Sequence, residues 1–185
     1  MTVGRLVARK ATMQLLSLME ALRGEKVRLL IVGTGPQERL LKAETLKRQL
    51  SDRICFLGRV EESEKFRILQ MCDIYISSSQ HEGFGLMFLE AMACGLPIIC
   101  YNHGGQTDFL ENATTGFLLP LNDLSGLEEQ CRCLIKDREL RHKIGEENLH
   151  RIQEFFVDRC ARQYEAVLHE AVSRHSKAHP LGQAV

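Results

Sequence analysis

The 185-residue sequence has no tryptophan, no excess of charge of either sign, no Cys-x-x-Cys pair and no apolar run near the length of a membrane span. Lys and Arg number 24, as do Asp and Glu, so the net charge is zero. Proteins that grip nucleic acid or a membrane surface carry a strongly basic domain or stripe. A neutral chain that binds an anion must do so with a few placed groups, so no nucleic-acid partner is expected. A spanning helix needs about 20 apolar residues, and the opening MTVGRLVARK lacks the apolar stretch of a signal peptide. The expectation is a soluble, cytoplasmic protein, whose full-length form associates at most peripherally with a membrane. Cysteines number seven, an odd count. Cys131 and Cys133 lie two apart on an expected helix and so point in different directions, and Cys55, Cys72, Cys94 and Cys100 sit in or beside apolar runs. Buried, reduced thiols are expected, rather than zinc ligands or disulfides.

What is present is ordinary for a soluble domain: 44% hydrophobic and 26% charged residues. A chain of this length buries roughly 70% of its unfolded surface. Apolar stretches alternate with amphipathic ones, the pattern of β-α-β units in a parallel sheet. Strands are expected at the tail 1–4, at 27–32 (VRLLIV), 53–57, 73–77, 98–100 and 116–119. Helices are expected at 12–23, 37–50, 61–71, 86–94, 124–136, 139–151 and 157–174, with a single helical turn near 108–111. In the first helix Leu15, Leu16, Met19 and Leu22 share a face, and Asp123 is placed to cap the helix at 124. The fold class is α/β: a doubly wound, Rossmann-like parallel sheet of about six strands in the order 3-2-1-4-5-6. One domain is expected over 1–174, with a disordered tail at 175–185. The first strand is nearly absent and the last helix outruns the sheet, so a domain cut from a larger chain is expected.

The most informative segment runs Ser79-Gln80-His81-Glu82-Gly83-Phe84-Gly85-Leu86-Met87-Phe88-Leu89-Glu90-Ala91-Met92-Ala93-Cys94-Gly95. It follows a strand, contains a Gly-x-Gly loop and opens a helix. In open α/β sheets ligands bind at the carboxyl ends of the strands. A glycine loop there lets a phosphate approach the free backbone N–H groups of a helix N-terminus, where the helix dipole also favours negative charge. Glu82 lies in the loop and Glu90 inside the helix, so they form no tight carboxylate pair. Two readings stand: a sugar-contacting loop carboxylate with a ribose acceptor, or a helix-start carboxylate with a solvated one. Glu61-Glu62-Ser63-Glu64-Lys65 reads as a solvated helix start. His81 and His103 read as exposed loop residues, and no pair of histidines has zinc-ligand spacing.

This segment resembles the donor-side signature of family 4 glycosyltransferases, with Ser79, Glu82-Gly83-Phe84-Gly85, seven residues between Glu82 and Glu90, and Ala91-Met92-Ala93-Cys94-Gly95-Leu96-Pro97. The resemblance covers roughly 3–171. It implies the C-terminal, donor-binding domain of a GT-B enzyme, in which the backbone near Gly83, Phe84, Gly85 and Leu86 holds the distal phosphate. Glu82 would contact the transferred sugar and Glu90 would accept from the ribose hydroxyls. Gly4-Arg5-Leu6 with Lys10 is similar to the family's Gly-Arg-Leu…Lys segment, in which the two cations grip the diphosphate. The chain has no Asp-x-Asp metal motif; the resemblance implies a metal-independent enzyme without a cofactor, with Arg5 and Lys10 supplying the charge. Ala11 and Ala113 stand where the family usually has Gly.

Gly33-Thr34-Gly35-Pro36 resembles the family's Gly-x-Gly-Pro turn, and by itself reads equally as a tight strand-to-helix turn. Glu38 in the third glycine position makes it a poor dinucleotide fingerprint, which argues against a nicotinamide-dependent oxidoreductase. Phe56-Leu57-Gly58-Arg59-Val60 resembles the segment that meets the nucleotide base. Gly104-Gly105-Gln106-Thr107-Asp108 resembles the Gly-Gly-x-x-Glu element beside the transferred sugar, with Asp108 replacing Glu. The implied partners are a nucleotide-diphospho-sugar donor, of uridine or guanosine, and an N-terminal acceptor-binding domain outside this chain. A dimer through an exposed face of the last helix is a further expectation. The implied function is transfer of a hexosyl group with retention, in which the chain alone binds donor weakly and transfers little. The competing reading is a non-catalytic nucleotide-binding or regulatory module on the same scaffold, against which Arg5, Lys10, Glu82 and Glu90 all argue.

Overall fold

Short β-rich runs such as LLIV and IICY form the strands, and the amphipathic runs between them form the helices that cover the sheet. The computed structural model describes the backbone of residues 1–178. Its strands are β1 (Thr2–Val3), β2 (Leu29–Val32), β3 (Ile54–Gly58), β4 (Tyr75–Ile76), β5 (Ile98–Tyr101) and β6 (Gly116–Leu119). The helices are α1 (Thr12–Ala21), α2 (Glu38–Lys47), α3 (Glu62–Gln70), α4 (Leu86–Ala93), α5 (Leu124–Lys136), α6 (Arg138–Arg151) and α7 (Val157–Ala178). All strand pairs are parallel.

The strands form two three-stranded ladders, β1-β2-β3 and β4-β5-β6, rather than one unbroken ladder of six. Two main-chain hydrogen bonds join them: the Ile76 N–H donates to the Met1 carbonyl at 2.9 Å, and the Met1 amine donates to the Ile74 carbonyl at 2.7 Å. The order across both ladders is therefore β3-β2-β1-β4-β5-β6, as expected, and the break has a simple cause: β1 is two residues long. Burial lowers the pKa of the Met1 amine, because the charged form is costly away from water. Beside it, a cavity of about 400 Å³ opens where β1 is short, lined by Met1, Met19, Leu29, Cys72, Ile74 and Cys131 among others.

The core follows the helical and strand periods. Leu15, Leu16, Met19 and Leu22 are all buried on α1, as their spacing requires, and meet Ile31, Leu41, Ile99, Tyr101, Leu127 and Leu134. Every residue of β5 is buried, as in a strand covered on both faces. Asp123 caps α5, its Oδ1 accepting from the Gly126 N–H at 2.9 Å. Asn148 on α6 is buried and donates from Nδ2 to the carbonyls of Leu96 and Thr115, which fixes the turn between α4 and β5. The cysteines correct one expectation. Cys100 and Cys131 are buried and burial raises their thiol pKa, Cys131 to about 11, but Cys55, on the edge strand β3, is exposed.

The chain divides into two compact units, Met1–His150 and Arg151–Val185. Within the second unit, α7 runs four residues past the expected end at Arg174, and Val157, Tyr164, Val167, Leu168 and Val172 are exposed along it. The tail expected at 175–185 lies, from residue 179 onward, outside the described residues. No helix among the described residues is long and apolar enough to cross a membrane.

Ala11 and Ala113 both adopt left-handed backbone, with φ of 46° and 64°. That conformation costs an L-residue roughly 1–2 kcal/mol, and glycine returns about 0.4–1 kcal/mol of this through its greater freedom in the unfolded chain. Ala11→Gly is therefore expected to stabilise the protein by about 0.5–1 kcal/mol and to raise its melting temperature by roughly 1–4 °C. A thermal melt checks this; a lowered midpoint would contradict the strain.

Candidate functional site

The loops that leave the carboxyl ends of β1, β2, β3, β4 and β5 meet along one edge of the sheet. Backbone contacts fix their order. The Gly4 N–H donates to the Val32 carbonyl, Leu6 N–H to Thr34, Gln37 N–H to Leu6, and Gly33 N–H to Gly58, all at 2.7–3.0 Å. A Cβ on Gly33 would lie 2.0 Å from the Gly4 carbonyl oxygen, and one on Gly35 would lie 2.3 Å from that of Leu6. Packing of adjacent loops thus accounts for both glycines.

The loop after β4 is held from two sides. On one, Gln80 N–H donates to the Arg9 carbonyl at 2.8 Å, and the Ser78 hydroxyl lies 3.0 Å from the carbonyls of Lys10 and Ala11. These bonds dock a 3-10 turn, Ala8–Lys10, against residues 78–82. On the other, Gly105 N–H donates to the Glu82 carbonyl at 2.9 Å. A Cβ on Gly105 would fall 1.9 Å from the Gly83 carbonyl oxygen. The turn after β5 is a 3-10 turn at Gly105–Asp108, earlier than the 108–111 expected. Buried Gln106 secures it, donating from Nε2 to the carbonyls of Tyr101 and His103.

Gly85 begins α4 at φ 88°, a left-handed conformation that suits glycine. The N-terminus of α4 carries no side-chain cap, so its first N–H groups are available to an anion. Phe84 and Leu86 beside it are exposed, and Phe84 packs on Phe109 with ring centroids 5.3 Å apart.

Lys10 and Glu82 are brought together: the Lys10 ammonium donates to Glu82 Oε1 in an ion pair whose side chains are 19% and 12% exposed. A cation expected at the diphosphate thus meets the carboxylate expected at the sugar, three residues ahead of Gly85. Arg5 is exposed on the loop after β1, on the rim of a small pocket shared with Gly4, Leu6, Lys10 and Ser77. His81 and His103 are exposed as expected, with ring centroids 5.9 Å apart. Arg59 and Asp108 are exposed at the ends of β3 and β5, and Val60 is half-buried; no side-chain contact among the described residues joins these three to the Lys10–Glu82 pair. No three His, Cys, Asp or Glu side chains among the described residues converge as a metal site.

Glu90 is half-buried. Its Oε2 is buried and lies 2.6 Å from the ammonium of Lys65 on α3. Lys65 itself is 9% exposed, which corrects the reading of 61–65 as a fully solvated helix start. Glu62 and Glu64 are exposed as that reading requires, but Lys65, one helical turn on from Glu61, faces α4. Its burial pulls the ammonium pKa down, and its side-chain interactions with the Glu62 and Glu90 carboxylates, with their negative charges, outweigh this, so the net shift is upward. A lysine three residues after an acid on a helix reads as an ordinary surface pair; only the neighbouring helix reveals its second partner.

A family model described as "Glycosyl transferases group 1" matches residues 1–151. The N-acetyl-alpha-D-glucosaminyl L-malate synthase of Bacillus anthracis is 33% identical over 146 residues, covering 78% of this chain and 38% of that protein. The chain thus spans little more than a third of that relative's length. The sucrose-phosphate synthase of Thermosynechococcus elongatus superposes with a TM-score of 0.83 at 25% identity, over 94% of this chain and 45% of that one. Anabaena Alr3699/HepE, solved in complex with UDP-glucose, superposes with a TM-score of 0.80 at 24% identity, over 91% of this chain and 48% of that one, which shows a shared fold. With the signature loop, the helix it opens and the family match all falling on the same stretch of sheet, this chain belongs to the group 1 glycosyl transferases.

Proposed function

We propose that this chain is the donor-binding half of an enzyme that transfers a hexosyl group from a nucleotide-diphospho-sugar to an acceptor, with retention and without a metal ion. The observation that carries the reading is the Lys10–Glu82 ion pair beside the uncapped N-terminus of α4. A diphosphate seated over the first amides of α4 takes Lys10 as its cation and releases Glu82 to the sugar hydroxyls. Arg5, exposed on the same edge, adds a second positive charge for the leaving diphosphate. Gly33, Gly35, Arg59 and Val60 border the nucleotide, Gly83, Phe84, Gly85 and Leu86 the phosphates, and Asp108 the sugar. The chemistry asked of these groups is positioning and charge stabilisation. The UDP-glucose complex of Anabaena Alr3699/HepE supports a uridine donor as the first to test.

The acceptor-binding half is assigned to residues outside this chain, and the exposed apolar stripe of α7 to contact with it. The cytoplasm is proposed as the site of action. On this reading the chain alone binds donor and transfers little.

A thermal-shift series with UDP, GDP and ADP sugars tests the proposal. A ligand that binds only the folded state adds about 2.7 kcal/mol at a hundredfold excess over its dissociation constant, a rise of roughly 5–11 °C for a chain of this size. The expected outcome is such a rise with at least one nucleotide-sugar and none with the free hexose. No shift with any nucleoside diphosphate would overturn the reading.

A further inference from the structure

We propose that Lys65 is a positioning residue for Glu90, and that through it the site reads the ribose diol of the nucleotide. This rests on the donor reading above and names a residue that the reading does not use.

The trio is built across two helices. Glu62 and Lys65 lie one turn apart on α3, and Glu90 lies in the second turn of α4. The ammonium of Lys65 donates to Glu62 Oε1 at 2.7 Å and stands 2.6 Å from Glu90 Oε2. Glu62 is 73% exposed, whereas Lys65 and Glu90 are 11% and 22% exposed in their side chains. Glu62 is therefore a flexible outer partner and Glu90 the fixed inner one. Oε2 of Glu90 is buried, with the Lys65 ammonium as its charge partner.

A buried carboxylate oxygen without a nearby cation turns outward to water. Lys65 prevents this. It holds one oxygen of Glu90 inward, which presents the rest of the carboxylate to hydroxyls arriving at the α4 face. A carboxylate fixed in this way accepts from both hydroxyls of a cis-diol. Stability alone does not account for the lysine, since replacing a buried ion pair with apolar side chains is often neutral. Lys65→Met leaves one charged partner behind, however, so its folding is followed separately by its melting midpoint.

The test is calorimetry with UDP and with 2′,3′-dideoxy-UDP on the 185-residue chain and its variants. Wild type is expected to bind UDP more tightly than the dideoxy analogue. Lys65→Met is expected to lose about tenfold in affinity for UDP, the scale of a charged hydrogen bond, and less than about twofold for the dideoxy analogue. Lys65→Arg, which retains the cation, is expected to recover most of the UDP affinity. Equal losses for the two ligands, or unchanged UDP affinity in Lys65→Met, would overturn the proposal while leaving the donor reading intact. Failure of wild type to bind either ligand would remove the donor reading and this proposal together. Glu62→Gln, an exposed change that keeps Lys65 and Glu90 in place, gives a variant whose folding does not depend on the inner pair. It is expected to hold UDP affinity within about twofold, and a tenfold fall there would also overturn the proposal.

Discussion

Gly105→Ala is expected to lower the melting temperature by roughly 6–12 °C, the equivalent of about 3 kcal/mol in a chain of this size. The reason is space. Gly105 is not among the residues with positive φ, so alanine suits its backbone, yet the added Cβ would stand 1.9 Å from the Gly83 carbonyl oxygen and 3.0 Å from the Phe84 Cα. Those neighbours are backbone and cannot rotate aside. The turn after β5 must back away from the loop after β4, which breaks the bond from Gly105 N–H to the Glu82 carbonyl. The loss reaches binding as well, because the displaced segment leads into Gly85 and the first amides of α4. Gly24→Ala is the control: nothing lies within 4 Å of its added Cβ, and its midpoint is expected to stay near that of wild type. Melts of the two variants, with and without UDP, check both statements. A Gly105→Ala midpoint within about 2 °C of wild type, where each kcal/mol shifts it by roughly 2–4 °C, would mean that the two loops are not in contact.

Lys10→Met is expected to weaken UDP binding by roughly 10–100-fold while leaving uridine binding nearly unchanged. A hydrogen bond to a charged group contributes about 1.5–3 kcal/mol, and each 1.4 kcal/mol is about tenfold in affinity. The methionine nearly keeps the length of the stem, which passes beside the position that a Cβ on Gly4 would take. The loop is anchored independently of the side chain, since the Ser78 hydroxyl bonds the carbonyl of Lys10 itself. The variant thus removes the charge with little change in the fold. It also strands Glu82, 12% exposed, which is then expected to turn toward solvent. Calorimetry with UDP and uridine separates the effects, and equal losses for both ligands would show that Lys10 does not meet the phosphates.

Much of this was legible in the sequence. The periodicity of Leu15, Leu16, Met19 and Leu22 marks the buried face of α1, and Asp123 marks the start of α5, because local hydrogen bonding and burial act within a few residues. The Gly83-Phe84-Gly85 loop is legible as a helix start for the same reason. What stayed hidden depends on residues far apart in sequence. Lys65 reads as a surface residue because its partner Glu90 lies on another helix. Gly33 and Gly35 read as the family's Gly-x-Gly-Pro turn or as an ordinary tight turn, and only the carbonyls of Gly4 and Leu6 show what occupies the space beside them. The break between the two ladders follows from the shortness of β1, which sequence suggested, but the pair of bonds that spans it required the fold. Cys55 is exposed although its sequence neighbours are apolar, because the cover over each face of a strand comes from elements distant in sequence.

The glycine contacts have a practical consequence. The Gly4 carbonyl fills the hollow at Gly33, that of Leu6 the hollow at Gly35, and that of Gly83 the hollow at Gly105, so each loop forms part of the wall of the next. Grafting one loop from a relative would leave its neighbour either clashing or unsupported. On the proposed reading, donor preference is therefore better retuned through exposed side chains such as Arg59, Phe84 and Asp108 than by exchanging whole segments.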